Sequence, residues 1–290
     1  MIHRRVAALA ASLATVAVLA ACSPPPTPVE WRVSPKSVTV HNSEDNDAGD
    51  EPYIIQIGFR SKLGVAGSSH VSLASQCYAN RLPANDSVPS GTTYTIPPGS
   101  ADSRFADVNN LDLSDLAAGT AAFEVIGTLT FVMERDGIFE SCAVSDALRS
   151  ALVGTLRDAL NLLIANSPTP PSTDDLINLV VSHVGDFISA AASLIGAVIE
   201  GLGNPDDVIG VAAQIHLPTR GALTDLVNTA FAIGGIFAPG LEQGFIPLED
   251  LPSGLLIRVG TLSPSSTSFR LTTDAADYTY RSEVARVSGS

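Results

Sequence analysis

Tyr53-Ile54-Ile55-Gln56-Ile57-Gly58-Phe59 is the stretch that decides the fold, and it directly follows an acidic turn at 43–52. Tyr53, Ile55, Ile57 and Phe59 alternate with other residues, which is the period of a strand with one buried face. The eight residues before Pro52 contain five carboxylates, namely Glu44, Asp45, Asp47, Asp50 and Glu51. We therefore expect a core strand with a strongly charged loop at its start.

Further strands are predicted on both sides of this stretch. Residues 29–42 carry alternating valines and Trp31 around Ser34-Pro35, which predicts two short strands with a bend. Alternation also predicts strands at 71–78, 92–96 and 122–134, and Arg135-Asp136-Gly137 has the residues of a hairpin turn into Ile138-Phe139. Residues 208–217 fit either a helix or a strand, and the flanking prolines favour a strand. The chain ends with predicted strands at 255–262, 268–272 and 277–287.

The middle of the chain has helical periodicity instead. Leu148, Leu152, Leu156, Leu160 and Leu163 recur every three or four residues, so residues 145–165 are predicted to form an amphipathic helix. A second, more apolar helix is expected from Ser172, where Asp175 completes a capping-box-like spacing, to Gly201. A short helix is expected near 222–237, and a loop at 242–252.

These patterns predict a mainly β fold with a helical insertion (α+β), an antiparallel β-sandwich interrupted by two to three apolar helices. The expected divisions are a signal peptide at 1–21, a modified Cys22 with a proline-rich tether at 22–28, and the first part of the sandwich at 29–142. A helical insertion at 143–203 follows, and the second part of the sandwich at 204–290 includes the helix near 222–237.

The N-terminus predicts export. A basic start with Arg4 and Arg5 precedes the apolar run 6–19 and then Leu19-Ala20-Ala21-Cys22, the order of a secretory signal. Cysteine directly after Leu-Ala-Ala resembles the cleavage site of bacterial lipoproteins, in which the thiol takes a diacylglycerol and the new amino terminus takes an acyl chain such as palmitate. This resemblance implies lipidation of Cys22 and a place on the outer face of the cytoplasmic membrane. The alternative is an ordinary signal peptide that is cleaved near Ala21.

The charge balance argues against polyanionic partners. Removal of Arg4 and Arg5 with the signal leaves 14 basic residues against 30 acidic ones, a net charge of −16 for the mature chain. Lys36 and Lys62 are the only lysines. The composition therefore predicts no basic patch for nucleic acid or anionic lipid.

Two cysteines remain after Cys22 is assigned to the lipid. Cys77 and Cys142 stand in an exported and oxidising setting, so we expect them to form a disulfide. The alternative is a pair of free, buried thiols.

Two short stretches resemble the calcium loops of C2 domains, which are antiparallel β-sandwiches. The first is Asp45 with Gly49 and Glu51-Pro52-Tyr53, and the second is Asp206-Asp207-Val208-Ile209-Gly210. Glu51 replaces the aspartate of that family and Val208 replaces an aromatic residue. The resemblance implies a Ca²⁺ site formed by Asp45, Asp47, Asp50, Glu51 and Asp207, and the alternative is a solvated acidic turn.

No catalytic motif stands out in the sequence. The chain has no Gly-x-Ser-x-Gly elbow, no His-Glu-x-x-His motif and no phosphate-binding glycine loop. His183 and Asp186 lie one helical turn apart without a nucleophile nearby, which is typical of a core pair. We therefore expect a protein that is not an enzyme.

Two functions remain open from the sequence. The first is a lipid-anchored envelope protein with a binding or structural role, possible partners being a cell-wall component or lipid, as in the Ala-rich, Lys-poor secreted lipoproteins of actinobacteria that this chain resembles. The second is a membrane-active or lipid-carrying protein that uses its apolar helices at 173–201 and 222–237.

Overall fold

In the computed structural model, the described residues are 27–43, 49–84, 87–119, 121–135, 142–167, 206–233, 244–248 and 251–287, together with Asp186, Ala190 and Ser193, which are helical. The strands in chain order are β1 (Val29–Asn42), β2 (Tyr53–Lys62), β3 (His70–Ser75), β4 (Thr92–Thr95), β5 (Ser103–Val108), β6 (Glu124–Arg135), β7 (Asp206–Leu217), β8 (Gly244–Leu248), β9 (Leu251–Thr261), β10 (Ser265–Thr272) and β11 (Asp277–Val287). The helices are α1 (Leu113–Ala118), α2 (Ala143–Leu148), α3 (Gly154–Leu160) and α4 (Ala222–Ile233), with π-helical turns at Arg149–Val153 and Asn161–Ala165.

The strands form two sheets, which confirms the prediction of a mainly β fold with a sandwich-like arrangement. One sheet has the order β10-β11-β1-β4, with β5 also paired to β1, and the other has the order β3-β2-β6-β7-β9-β8. All described pairs of these strands are antiparallel except β7 with β9, which are parallel. Strands from both ends of the chain pair directly, because β1 lies beside β11 along nearly its whole length.

The facing sides of the two sheets enclose two apolar clusters. One contains Val40, Phe269 and Tyr278, and the other contains Trp31, Ile126 and Val284. The outer side of the five-stranded sheet faces water, since β10 alternates between buried and exposed positions along its length. This sheet therefore follows the simple apolar-in, polar-out rule.

A helical layer covers the outer side of the six-stranded sheet and makes the third layer of the molecule. Leu148, Leu152, Leu156 and Leu160 are buried against this sheet, which confirms the predicted amphipathic helix. The run 143–165 packs near β2 and β3, and α4 packs against β9. Because the sheet is covered on both sides, all 12 residues of β6 are buried.

Several local predictions were wrong. Residues 29–42 form one strand with an irregularity between Pro35 and Ser37, because β11 pairs with both halves and holds them in line. The predicted loop at 242–252 contains β8 and the start of β9, which pair with each other. Strand β5 and helix α1 were not predicted. The hairpin at 136–139 and most of the second apolar helix lie outside the described residues.

Candidate functional site

Asp50, predicted as a calcium ligand in the acidic turn, is completely buried in the structure. The hydroxyl of Tyr278, on β11, donates a hydrogen bond to its Oδ2 atom. The backbone of Asp50 also pairs with Val88 in an isolated bridge. The carboxyl group of Asp50 therefore lies between the sheets and not in a solvent-facing loop, and the predicted calcium-ligand role of this residue stays a prediction. Asp45 and Asp47 lie outside the described residues.

Glu51 and Asp207 lie on either side of Glu134, the last but one residue of β6. The amide N–H of Glu51 donates to Oε1 of Glu134 at 3.5 Å, and Asp207 is the partner of Glu134 in the β6–β7 ladder. We call this region, with Asp50, the acidic end of the domain. Sequence reasoning did not single out Glu134, although its place in the inward-facing series after Thr130 and Val132 was a usable signal.

The acidic end does not by itself supply a calcium site. Calcium takes six to eight oxygen ligands at 2.3–2.6 Å as a general rule. Across the described ranges, no group of three His, Cys, Asp or Glu side chains is arranged to hold a metal ion. Asp45 and Asp47 lie outside these ranges, so the calcium site that the sequence predicts stays a prediction.

Cys77 and Cys142 form the predicted disulfide, with their Cα atoms 5.7 Å apart. The bond joins the turn after β3 to the residue before α2. Around it, the hydroxyls of Ser75 and Ser145 lie 2.8 Å apart, and Tyr78 donates to the Asp146 carboxylate at 2.5 Å. Burial, with the Asp146 hydrogen bond as a smaller cause, raises the pKa of Tyr78. The disulfide and these two hydrogen bonds connect the helical layer to the edge of the six-stranded sheet, and we call this group of contacts the latch.

Polar side chains separate the two apolar clusters inside the sandwich. Gln56 is completely buried, and its Nε2 atom lies 3.0 Å from the carbonyl oxygen of Val33 and 3.0 Å from Oγ of Ser103, both on the other sheet. Gln214 donates to Oγ of Ser282 at 2.7 Å, which is a second link between the sheets. Since a buried amide must find partners, these bonds select one register of the two sheets.

His216 lies at the β7 end of this polar region and is buried without a hydrogen-bond partner for its Nε2 atom. Burial, and secondarily the charge of Arg258, lowers the pKa of His216 to about 4. The ring is therefore neutral near pH 7.

The start of β1 and the end of β2 lie at one end of the domain, which we call the tethered end after the proline-rich tether that the sequence predicts at 22–28. Arg60 on β2 donates from Nη1 to the carbonyl oxygen of Ala106 on β5 at 2.6 Å, and β5 pairs with the start of β1. Arg60 also forms an ion pair with Glu124. Burial raises the pKa of Glu124, and the positive charge of Arg60 opposes that change. Asp50 and the acidic end lie at the opposite end of the sandwich, beside the other end of β1.

Large apolar side chains are exposed at three places in the described part of the chain. They are Val65 (41 % exposed), Tyr78 (38 %) and Leu162 (73 %). Tyr78 belongs to the latch described above. Val65 lies in the β2–β3 turn, which is joined to the end of the helical run by the amide of Gly64, a donor to the carbonyl oxygen of Ile164 at 3.4 Å.

Neither the described helices nor known proteins point to a function for this chain. Among the described residues, no helix has both the length and the apolar character needed to cross a bilayer. No protein-family model, curated protein or solved structure matches the chain. Functional assignment therefore depends on the chain's own residues and their positions.

Proposed function

We propose that this chain is a lipid-anchored protein on the outer face of the bacterial cytoplasmic membrane, with a binding or structural role in the cell envelope and no catalytic activity. Its partner is a cell-wall component or a lipid. The lipid on Cys22 attaches the protein, and the folded domain presents its surfaces a short distance from the bilayer.

The observation that carries this proposal is the order of the N-terminal segments. The signal-like run ends in Leu19-Ala20-Ala21-Cys22, prolines follow at once, and the described fold begins directly afterwards with β1 at Val29. Proline-rich segments are extended and semi-rigid, so such a tether holds a domain close to its anchor.

Membrane fractionation tests the anchor. The wild-type chain, expressed in a bacterial host with lipoprotein processing, is expected in the membrane fraction with an N-terminal peptide whose mass includes the diacylglycerol at Cys22. The Cys22→Ser variant is expected to lose this mass and to leave the membrane fraction. A wild-type chain that is soluble and carries an unmodified thiol at Cys22 would overturn the proposal.

A lipid-carrying function is the second candidate, and one observation favours it. The largest apolar cluster of the described residues lies between the six-stranded sheet and the helical layer and includes Phe131, Ile215 and Leu156. The helical run beside it contains two π-helical turns, which occur often at functional sites. Solvent extraction of the purified protein followed by lipid mass spectrometry tests this idea, and extracts without a stoichiometric lipid would argue against it.

The resemblance to C2 domains supports a more limited proposal for calcium. Asp45 and Asp47 would have to supply most of the ligands, with Glu51 and Asp207 nearby, since Asp50 is engaged by Tyr278. Bound calcium would then stabilise the acidic end. We expect millimolar calcium to raise the melting temperature of the wild type but not of Asp45→Ala, and an unchanged melting temperature in both would remove calcium from the proposal.

A further inference from the structure

Three polar residues lie side by side on the inner faces of β6 and β7. Thr128 is directly opposite Gln214 in the β6–β7 ladder, and His216 follows Gln214 by two residues on the same side of β7. This side faces the other sheet, because Gln214 donates to Ser282 there. The exposed fractions are 0 % for Thr128 and Gln214 and 5 % for His216. The three residues therefore form one buried group, which we call the inner polar group.

Each member of the inner polar group has a buried polar atom with no hydrogen-bond partner in the described part of the chain. These atoms are Oγ1 of Thr128, Oε1 of Gln214 and Nε2 of His216. The neighbouring hydroxyl of Thr130 differs, since it donates to Oε1 of Gln56 at 3.1 Å. Buried polar atoms that lack a protein partner are commonly satisfied by ordered water, because an unsatisfied buried group is costly.

The spacing of the inner polar group fits water molecules. Residues directly opposite each other in an antiparallel ladder have Cβ atoms about 4.5–5.5 Å apart. One water that makes two hydrogen bonds of about 2.8 Å can span such a distance. Same-side neighbours along a strand are about 6.8 Å apart, twice the rise per residue, so a second water is needed to reach His216.

The donors and acceptors of the inner polar group favour water over an ion. Oε1 of Gln214 only accepts hydrogen bonds, whereas the Thr128 hydroxyl and Nε2 of a neutral histidine can fit either role. Water both donates and accepts, so it can satisfy all three atoms. The positive charge of Arg258 acts on His216 and disfavours a further cation. An anion would be repelled by the amide oxygen of Gln214.

Gly260 lies where the inner polar group approaches the edge of the six-stranded sheet. It is the partner of His216 in the parallel β7–β9 ladder and is partly exposed. Strand β8 pairs with β9 only as far as Ile257. A Cβ atom added to Gly260 would have no described atom beyond its chain neighbours within 4 Å, whereas one on Gly210 would lie 2.6 Å from Leu271. The packing between the sheets is therefore looser beside Gly260 and leaves room for small molecules.

We propose that the inner polar group is a binding site for internal water and that Gly260 marks the entrance to it. One water molecule bridges Oγ1 of Thr128 and Oε1 of Gln214, and a second connects the first to Nε2 of His216. The two molecules complete the hydrogen bonding of the polar region that links the sheets. This inference is independent of the proposed lipid anchor and of calcium.

Two measurements on the mature chain with Cys22→Ser test the proposal. A high-resolution crystal structure should show a water molecule within hydrogen-bond distance of Oγ1 of Thr128 and Oε1 of Gln214. Oxygen-17 magnetic relaxation dispersion counts long-lived internal water molecules in solution. Thr128→Val keeps the shape of the side chain without its hydroxyl, so it should lose this density and lower the count by at least one. The matched control Thr130→Val removes a hydroxyl that is paired with Gln56 and should keep the density.

The entrance is tested separately. Gly260→Val places a side chain in the open space and should lengthen the residence time of the internal water several-fold. Thr261→Val, on the opposite side of β9, is the control and should leave the residence time unchanged.

The wild-type structure and water count decide the case even if a variant does not fold. Protein groups bonded to both Thr128 and Gln214, with no solvent density between them, would overturn the proposal. Density with oxygen contacts of about 2.3–2.6 Å would assign a metal ion instead and overturn it. Connected density of several atoms would likewise overturn it in favour of a small organic molecule.

Discussion

The hydroxyl of Tyr278, on the last strand, donates a hydrogen bond to the carboxyl group of Asp50, which lies 228 residues earlier and just before β2. Both residues are completely buried. The contact connects the five-stranded sheet to the start of the six-stranded sheet at the acidic end. It gives Asp50 a structural role, although the surrounding sequence has the composition of a solvated turn.

Tyr278→Phe is expected to lower the free energy of unfolding by about 1–3 kcal/mol. The substitution removes the buried hydroxyl donor, and the buried carboxyl group of Asp50 then lacks this hydrogen bond. Urea denaturation monitored by circular dichroism measures this change. Thr279→Val, on the other side of the same strand, is the comparison; it removes only solvent-accessible hydrogen bonds with His41 and Arg270 and should cost less, about 1 kcal/mol or less. Equal stability of Tyr278→Phe and the wild type would show that the hydrogen bond contributes nothing.

Replacement of both disulfide cysteines, Cys77→Ser with Cys142→Ser, is expected to destabilise the domain. The disulfide joins residues that are 65 positions apart in the sequence. In the chain-entropy model, closing a loop of that size stabilises the folded protein by about 4 kcal/mol. The midpoint of urea unfolding measures the loss. Reducing agent should lower the midpoint of the wild type and leave that of the double variant unchanged. Insensitivity of the wild type to reduction would contradict this assignment.

Acid is expected to destabilise the protein through His216, whose pKa is lowered to about 4 by burial. The unfolded chain takes up a proton near pH 6.5, whereas the folded chain does so only near pH 4, so stability falls as the pH decreases between these values. From pH 7 to pH 5 the loss from this residue is about 2 kcal/mol.

The His216→Leu variant tests this prediction, because leucine fills a similar volume and has no charge to gain. Its unfolding free energy should depend less on pH between 7 and 5 than that of the wild type. His70→Gln, at an exposed position, is the control and should keep the wild-type dependence. Parallel pH profiles for His216→Leu and the wild type would refute the role of His216.

Arg60→Leu is expected to destabilise the domain by about 3–5 kcal/mol, because it leaves the buried Glu124 carboxylate without its cation. The double variant Arg60→Leu with Glu124→Leu should recover part of this loss, since no buried charge then remains unpaired. The exposed pair of Arg157 and Asp158 is the comparison, and Arg157→Leu should cost about 0–1 kcal/mol. Chemical denaturation of the four proteins at pH 7 gives these values, and a double variant less stable than Arg60→Leu would contradict the argument.

Local patterns were enough to predict much of the secondary structure. The alternation from Tyr53 to Phe59 identified β2, and the leucines from Leu148 to Leu160 identified the helical run. The prediction of one buried face for β2 was wrong, because the helical layer covers one side of the strand and the other sheet covers the opposite side. Such predictions succeed because the period of the apolar residues reports which side of an element is buried. The sequence pattern was less useful for β8, because its apolar residues surround a proline and resemble a loop.

The candidate site was less predictable than the fold. The sequence predicted that the acidic turn and the distant Asp207 form one site. Burial separates Asp50 from any solvent-facing set, and Glu134 joins Glu51 and Asp207 only through strand pairing.

The sequence by itself determined most of the strands, the long helical run with its apolar side, and that the N-terminus has the form of an export signal with a cysteine at its end. These properties depend on neighbouring residues, so they are readable along the chain. Only the tertiary structure decided that β7 and β9 pair in parallel and that Tyr278 meets Asp50. Those relationships depend on register and packing between distant segments, because many pairings satisfy the same local pattern and only the assembled core selects one.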